Sequence, residues 1–406
     1  MGFLDQLKER ILIFDGSKGY MLQLNGLNPG EAPDHFNLTH PEIVENIHRE
    51  YVLAGCDVIQ TNTFTANRVM LGRHGLSDKT YDINFEGARL AVKAARGEAL
   101  VAASIGPTGI LFKPFGDLDY DTAFDIFKEQ VAAVYDGGVD IINFETFTDI
   151  MEMKAALNAA RSVCDLPVIC SMAFEENKRT LMGTKPLDAA YILLKAGADM
   201  VGANCSFGPG HMLDIVREMA MTGTFLSVKP NAGLPRVNDG KTVYDQCSAD
   251  FASEASLFAA YNARLIGGCC GTTPDFISEL KKKIKLVPYD GNVDHTRRIC
   301  SSANCVDADG SFTVAELNIH DQMTADDISD ELMELCYGDA DAIEISYSGK
   351  DDDLMRNVIL ENHSAMKKPL IVSGNNHNAI KNALTVYPGV AGLRKEIPGA
   401  RGAIII

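Results

Sequence analysis

The 406-residue sequence predicts an α/β chain made of a (β/α)8 barrel over residues 1–285, a linker over 286–310 and a smaller α/β unit over 311–406. Three observations carry that expectation. Eight short β-rich runs recur through the first 285 residues at near-regular intervals. Between them lie segments with apolar residues at helical spacing. The strand runs are continuously apolar and do not alternate, as parallel strands covered by helices on the outside require. Eight strand–helix pairs match a closed barrel in number and length, and right-handed crossovers of this size favour closure over an open doubly wound sheet. The open sheet is the fallback, but Asp15-Gly16-Ser17-Lys18-Gly19-Tyr20 has too few glycines, in the wrong order, for a dinucleotide-binding turn.

Taken in order, the strand runs are ILIFDG (11–16), DVIQTNTF (57–64), LVAASIGP (100–107) and DIINFET (140–146). LPVICSMAF (166–174), MVGANCS (200–206), FLSVKPN (225–231) and ARLIGGCCG (263–271) complete the set. Their ends are marked by Gly, Asn, Thr or Pro. PEIVENIHREYVLAG (41–55), DTAFDIFKEQVAAVYDGG (121–138) and TDIMEMKAALNAARSV (148–163) carry the 3.6-residue apolar period of helices packed on a sheet. KLVPYDGNVDHTRR is polar and rich in turn residues, hence the linker. Beyond it, SFTVAELN (311–318), DAIEISYSG (341–349) and PLIVSG (369–374) read as strands. They alternate with the helical segments 324–338, 353–366 and 377–389, and GAIII (402–406) is a last strand-like run. Three or four βα units make half a barrel at most, so this unit is expected to pack on the barrel, a second copy or a partner.

Asp and Glu number 55 against 37 Lys and Arg, a net charge of −18 that opposes attraction to nucleic acid and anionic lipid. No apolar run approaches the ~18–20 residues that cross a bilayer. The first ten residues carry both charge signs and no apolar secretory stretch, and Gln6 breaks the myristoylation pattern. A cytoplasmic location is expected. Ten cysteines are too sparse for a disulfide scaffold. Cys56, Cys164, Cys170 and Cys336 sit in apolar contexts and read as packing residues, while Cys247, Cys300 and Cys305 have no recognisable partner spacing.

The strongest chemical signal is Gly267-Gly268-Cys269-Cys270-Gly271-Thr272-Thr273-Pro274. Adjacent residues on a regular strand point to opposite faces, so both thiols address one point only where the strand has ended and the backbone turns. The flanking glycines permit that turn. Cys205, in GANCS, ends a strand two earlier, and a barrel gathers the carboxyl ends of its strands around one mouth. Three thiolates suit Zn2+, and a three-ligand site leaves the fourth position open, the mark of catalytic zinc. The competing reading is three buried thiols at tight turns. A bond between Cys269 and Cys270 would close a small strained ring. His35, His40 and His48 fall in a loop and helix before the second strand, where surface or capping roles are expected.

With these motifs in place, the chain resembles the homocysteine-binding family, and most of all the homocysteine module of cobalamin-dependent methionine synthases. DGSKGYMLQ (15–23), residues 37–68, SIGPTG (104–109), residues 144–157, GANCSFGP (202–209), KPNAGLP (229–235) and GGCCGTTP (267–274) carry the likeness, collinear from residue 1 to about 285. The resemblance implies a barrel that binds zinc through Cys205, Cys269 and Cys270, with homocysteine sulfur in the open position. It also implies that Asp15 and Glu145 bind the substrate amine, that the Gly16 and Ser17 amides receive its carboxylate, and that Asn204 lies in the pocket. Where the family commonly has Asp-Gly-Ala-Met-Gly-Thr, this chain has Ser17, Lys18 and Tyr20, which touches fine specificity. Thr61, Asn62, Thr63, Asn204 and Asn231 end strands at the same mouth and are expected to line the pocket or order the zinc ligands.

The implied activity is a homocysteine S-methyltransferase (EC 2.1.1) that forms methionine. Zinc coordination supplies the reactive thiolate without a strong base. No Asp-x-His-x-x-Gly pattern for cobalamin occurs, so the methyl donor is expected to be methylcobalamin on a separate corrinoid protein. An onium donor, S-methylmethionine or betaine, is the alternative enzyme reading, and a non-catalytic thiol- or zinc-binding module the non-enzymatic one. The C-terminal unit is distantly similar to part of a pterin-binding barrel through AELN (315–318) and ALTVYPGVAG (383–392). The strand-end acids and amides of a folate site are missing from EISYSG and LIVSGN. A docking or self-assembly role is expected instead.

Overall fold

A computed structural model describes residues 2–238, 241–320 and 322–406. All eight expected runs form parallel strands. They are β1 (Leu12–Ile13), β2 (Val58–Gln60), β3 (Leu100–Ile105), β4 (Ile141–Phe147), β5 (Val168–Met172), β6 (Met200–Asn204) and β7 (Leu226–Lys229). A hairpin of β8 (Pro235–Asn238) and β9 (Lys241–Tyr244), absent from the sequence expectation, precedes β10 (Ala263–Ile266). The order is β1-β10-β7-β6-β5-β4-β3-β2. Phe14 pairs in parallel with Val58, and the Asp15 amide donates to Val58 O at 3.1 Å, so the two ends of the sheet meet as a barrel.

The chain alternates its strand side chains between two apolar layers. Leu12, Phe14, Val58, Ala102, Ile141, Ile169, Met200 and Leu265 pack together, and Phe3 and Leu7 of the helix Phe3–Glu9 join them. Ile13, Ile59, Val101, Ile142, Val168 and Val201 belong to the larger core that includes the helices. Helices Pro41–Leu53, Tyr120–Asp136 and Ile150–Val163 lie where the apolar period places them. Two start on side-chain caps, with Asp119 accepting from Thr122 N and Asp149 from Met151 N. None of the helices is long and apolar enough to cross a membrane among the described residues.

The segment expected to be a linker is more structured than its composition suggests. It carries an antiparallel hairpin, β11 (Arg298–Cys300) and β12 (Cys305–Asp307), joined by a Cys300–Cys305 disulfide. Cys300 is fully buried, and its amide and carbonyl pair with Val390. Polar composition concealed a strand only three residues long. The C-terminal unit is a parallel sheet of β13 (Val314–Ile319), β14 (Ala342–Tyr347), β15 (Leu370–Ser373), β16 (Ala391–Leu393) and β17 (Ala403–Ile405) in chain order. It rests on the barrel through the helix Ile150–Val163. Lys154 Nζ donates to Leu384 O at 2.6 Å and to Tyr387 O, and Asn158 Nδ2 to Thr385 O at 3.1 Å. These carbonyls close the helix His377–Val386, whose last turn lacks intrahelical donors.

Candidate functional site

The carboxyl ends of the barrel strands surround a cavity of about 270 Å³, lined by Cys205, Cys269, Cys270, Glu145, Lys229 and Lys18 among others. β6 stops at Asn204, and the next two residues, Cys205 (φ 64°) and Ser206 (φ 62°), adopt the left-handed conformation that costs an L-residue roughly 1 kcal/mol or more. The reversal is held by the Cys205 amide donating to Lys229 O at 3.0 Å. On the other side, Cys269 N donates to Pro230 O at 2.7 Å and Cys270 N to Asn231 Oδ1 at 3.1 Å. A Cβ on Gly268 would stand 2.3 Å from Thr272 Oγ1, and one on Gly271 (φ 79°) would stand 2.3 Å from the Tyr244 ring. Only glycine fits this turn.

The three sulfur atoms lie within 4.8 Å of one another, with Cys205 Sγ and Cys270 Sγ 3.9 Å apart. Zinc–sulfur bonds of about 2.3 Å at tetrahedral angles put thiolates roughly 3.8 Å apart, so this donor set fits such an ion. Among the described residues no other group of three His, Cys, Asp or Glu side chains is close enough to share one. Without a cation the thiols hold their protons. Cys205 is drawn down by its hydrogen bond with Cys269, but its contact with Cys270 and burial prevail and push it up to about 11. Cys270 is drawn down by Cys205 and pushed up further by Cys269, to about 12. The contact with Cys205 raises Cys269 as well. Asn204 faces the cluster, with Nδ2 at 3.8 Å from Cys269 Sγ, while it clasps Thr146 N and Thr146 Oγ1, each at 2.8 Å.

Both acids singled out in the sequence are buried, and each carries a lysine. Glu145 Oε1 accepts from Gln60 Nε2 and Ser104 Oγ, and Oε2 from Lys229 Nζ, which also donates to Gln60 Oε1 at 2.6 Å. Asp15 Oδ2 accepts from Lys18 Nζ and from Gln60 N at 2.7 Å, whereas Oδ1 accepts from no described residue. Burial raises the Asp15 carboxyl against the pull of Lys18. The Gly16 backbone touches the cavity, but the Ser17 amide, expected to receive a carboxylate, donates to Thr272 O at 3.0 Å. The reason is local. Ser17 is the cap of the helix Lys18–Leu24, and its backbone is tied to the turn after Cys270.

Thr61, Asn62 and Thr63 line the cavity, and Asn231 holds the Cys270 amide. His48, expected on the surface or in a cap, is instead fully buried, neither ring nitrogen has a hydrogen-bond partner among the described residues, and burial drives its pKa well below the ordinary value. Lys229, Gln60 and Ser104 were not singled out from the sequence. Their signal was position alone, since Gln60 and Lys229 end strands, and Ser104 precedes the last residue of one, at the same mouth as the cysteines. Tyr244 was missed because its hairpin was missed, yet its ring bounds the Gly271 turn and packs edge-on against Tyr20 at 5.9 Å.

The fold is similar to that of the Escherichia coli homocysteine methyltransferase MmuM in its metallated form, with a TM-score of 0.59 and 24% identity over 69% of this chain and 97% of that one. The oxidized form of MmuM gives the same TM-score. In sequence, the chain is 31% identical over 316 residues to methionine synthase of Mycobacterium tuberculosis and 32% identical over 319 residues to that of Mycobacterium leprae. These alignments take in 71% and 73% of this chain but only 26% of each relative, so the chain spans about a quarter of the length of those relatives. The model of the homocysteine S-methyltransferase family matches residues 12–284, from β1 to the last barrel helix, and on that match the chain belongs to the homocysteine S-methyltransferase family.

Proposed function

We propose that the barrel catalyses methyl transfer to the sulfur of homocysteine, giving methionine, with zinc held by Cys205, Cys269 and Cys270 and a methylated corrinoid protein as donor. The observation that carries this reading is the convergence of three thiols within 4.8 Å at the mouth of a cavity. Zinc bound there would keep the substrate sulfur as thiolate at neutral pH and leave it nucleophilic. In the transfer a sulfur–carbon bond forms as the bond between methyl and donor breaks, and the electron pair departs with the donor. The thiol proton goes to solvent.

The chain's own residues do the rest. The Asn231 side chain and the Pro230 and Lys229 carbonyls fix the backbone of the three cysteines, so the sulfur positions are set before substrate arrives. Asn204 turns its amide toward Cys269. Glu145 gives the substrate ammonium a carboxylate, and the ion pair with Lys229 keeps that carboxylate aimed. We assign this chemistry to residues 1–285 and an assembly or docking role to 311–406. The motif resemblance to the homocysteine module of cobalamin-dependent methionine synthases supports a corrinoid donor over an onium donor, and the M. tuberculosis and M. leprae relatives are named methionine synthase.

The test is to load the protein with zinc, add homocysteine, and follow methionine with methylcobalamin, S-methylmethionine or betaine in parallel. Methionine from methylcobalamin is expected. Turnover with an onium donor alone would replace the corrinoid reading. Zinc binding without turnover on any donor would favour the non-catalytic module. Cys269→Ser should lower retained zinc from about one ion per chain to almost none, read by elemental analysis after chelation. Full zinc and full activity in that variant would reject the site.

A further inference from the structure

Two lysines reach the cavity, and their surroundings differ. Lys229 is 1% exposed and its ammonium is divided between Glu145 and Gln60, with the Phe14 ring 4.6 Å away. Lys18 has an 11% exposed side chain that lines the cavity. Among the described residues its ammonium has one hydrogen-bond acceptor, Asp15 Oδ2, and otherwise faces the Tyr51 ring at 4.3 Å. An ammonium has three donors. Among the described residues Lys18 therefore keeps two donors to spare beside the space where a substrate would lie, whereas Lys229, already shared between two acceptors, keeps one.

The substrate of the proposed reaction is a zwitterion, and its carboxylate needs a cationic or N–H partner once it leaves water. The Ser17 amide is occupied by Thr272 O. Glu145 lines the cavity and would repel a carboxylate. We propose that Lys18 is the carboxylate anchor of this site and so selects α-carboxylate thiols over plain aminothiols. The ion pair with Asp15 holds Lys18 in place in the free protein. On binding, the spare Nζ donors take the substrate carboxylate while Asp15 stays beneath them as counter-charge. This rests on the homocysteine reading given above.

The test compares zinc-loaded wild-type protein with Lys18→Met and Lys18→Arg by calorimetric titration. Three thiols separate the contributions. They are homocysteine, 3-aminopropane-1-thiol, which lacks the carboxylate, and 4-mercaptobutanoate, which lacks the ammonium. Charge-assisted hydrogen bonds predict that wild type prefers homocysteine to 3-aminopropane-1-thiol by about 30-fold or more, and that Lys18→Met lowers this preference to about 3-fold or less. Lys18→Met should weaken 4-mercaptobutanoate about as much as homocysteine and leave 3-aminopropane-1-thiol within about 3-fold. Lys18→Arg should retain the preference, since it keeps the charge.

An unchanged preference in Lys18→Met overturns the assignment. So does an equal loss of all three thiols, which would make Lys18 a purely structural partner of Asp15. Failure of wild-type, zinc-loaded protein to bind homocysteine at all would instead sink the homocysteine reading itself, and the anchor with it.

Discussion

Lys229 and Glu145 form a pair with side chains 1% and 6% exposed, inside a barrel mouth where neither is solvated by bulk water. Such a pair is tolerated because each member also has neutral hydrogen-bond partners. Gln60 bridges both members, and Ser104 donates to Oε1, the oxygen of Glu145 turned away from the ion pair. Removing one partner leaves the other buried and unmatched, which typically costs about 3–5 kcal/mol, whereas replacing both is milder. Lys229→Met is therefore expected to lower the urea midpoint strongly, and Glu145→Gln in the same chain to recover part of the loss. A double-mutant cycle in denaturant measures it, and additive losses would show that the two residues are not coupled. The pairing was illegible in the sequence because 84 positions separate the partners.

At the scale of the element, the turn Gly267–Gly271 shows how little room the metal-binding geometry leaves. Gly271 has a positive φ, and an added Cβ would enter the Tyr244 ring. Gly271→Ala should destabilise the fold by about 1–3 kcal/mol through backbone strain and the clash. It should also weaken zinc retention by about ten-fold or more, because Cys269 and Cys270 ride on the displaced segment. Competition with a chromogenic chelator reads the second effect. Adding Tyr244→Ala should relieve the clash but not the strain, so recovery is partial. Unaltered zinc affinity in Gly271→Ala would show that the turn does not position the thiols. The glycines flanking Cys269 and Cys270 were readable from sequence as permission to turn. The obstacle that demands glycine, a ring from the β8–β9 hairpin, was not.

For the molecule as a whole, Lys154 is the joint between barrel and C-terminal unit. Fully buried from solvent by the packed helices, it donates to two carbonyls at the end of His377–Val386, and burial lowers its pKa to about 7 from 10.5. The folded state thus binds this proton less readily than the unfolded chain. Between about pH 7 and 10.5 the unfolded state holds a proton that the folded state has released, so this residue's contribution to stability rises with pH across that window. Below pH 7 both states are protonated and the penalty of the buried charge is complete. Thermal unfolding of wild type against Lys154→Met from pH 6.5 to 10 should show wild type gaining relative to the variant as pH rises. A constant difference would mean that Lys154 stays charged in the joint, matched by the negative end of the helix it caps.

The eight barrel strands, the helices between them and the candidate thiols were determined by the sequence alone. They depend on apolar runs, helical periods and strand-ending turns, which are local properties. Even the meeting of Cys205 with Cys269 and Cys270 follows from local reasoning once the barrel is granted, because closure sends every strand end to one mouth. Only the tertiary structure decided what stands between those ends. It pairs Glu145 with Lys229, ties the Ser17 amide to Thr272, and brings Tyr244 over Gly271. It also turns a polar connector into a hairpin that pairs with Val390. These contacts depend on how burial and charge are shared among residues far apart in the chain, and no local window of sequence carries that information.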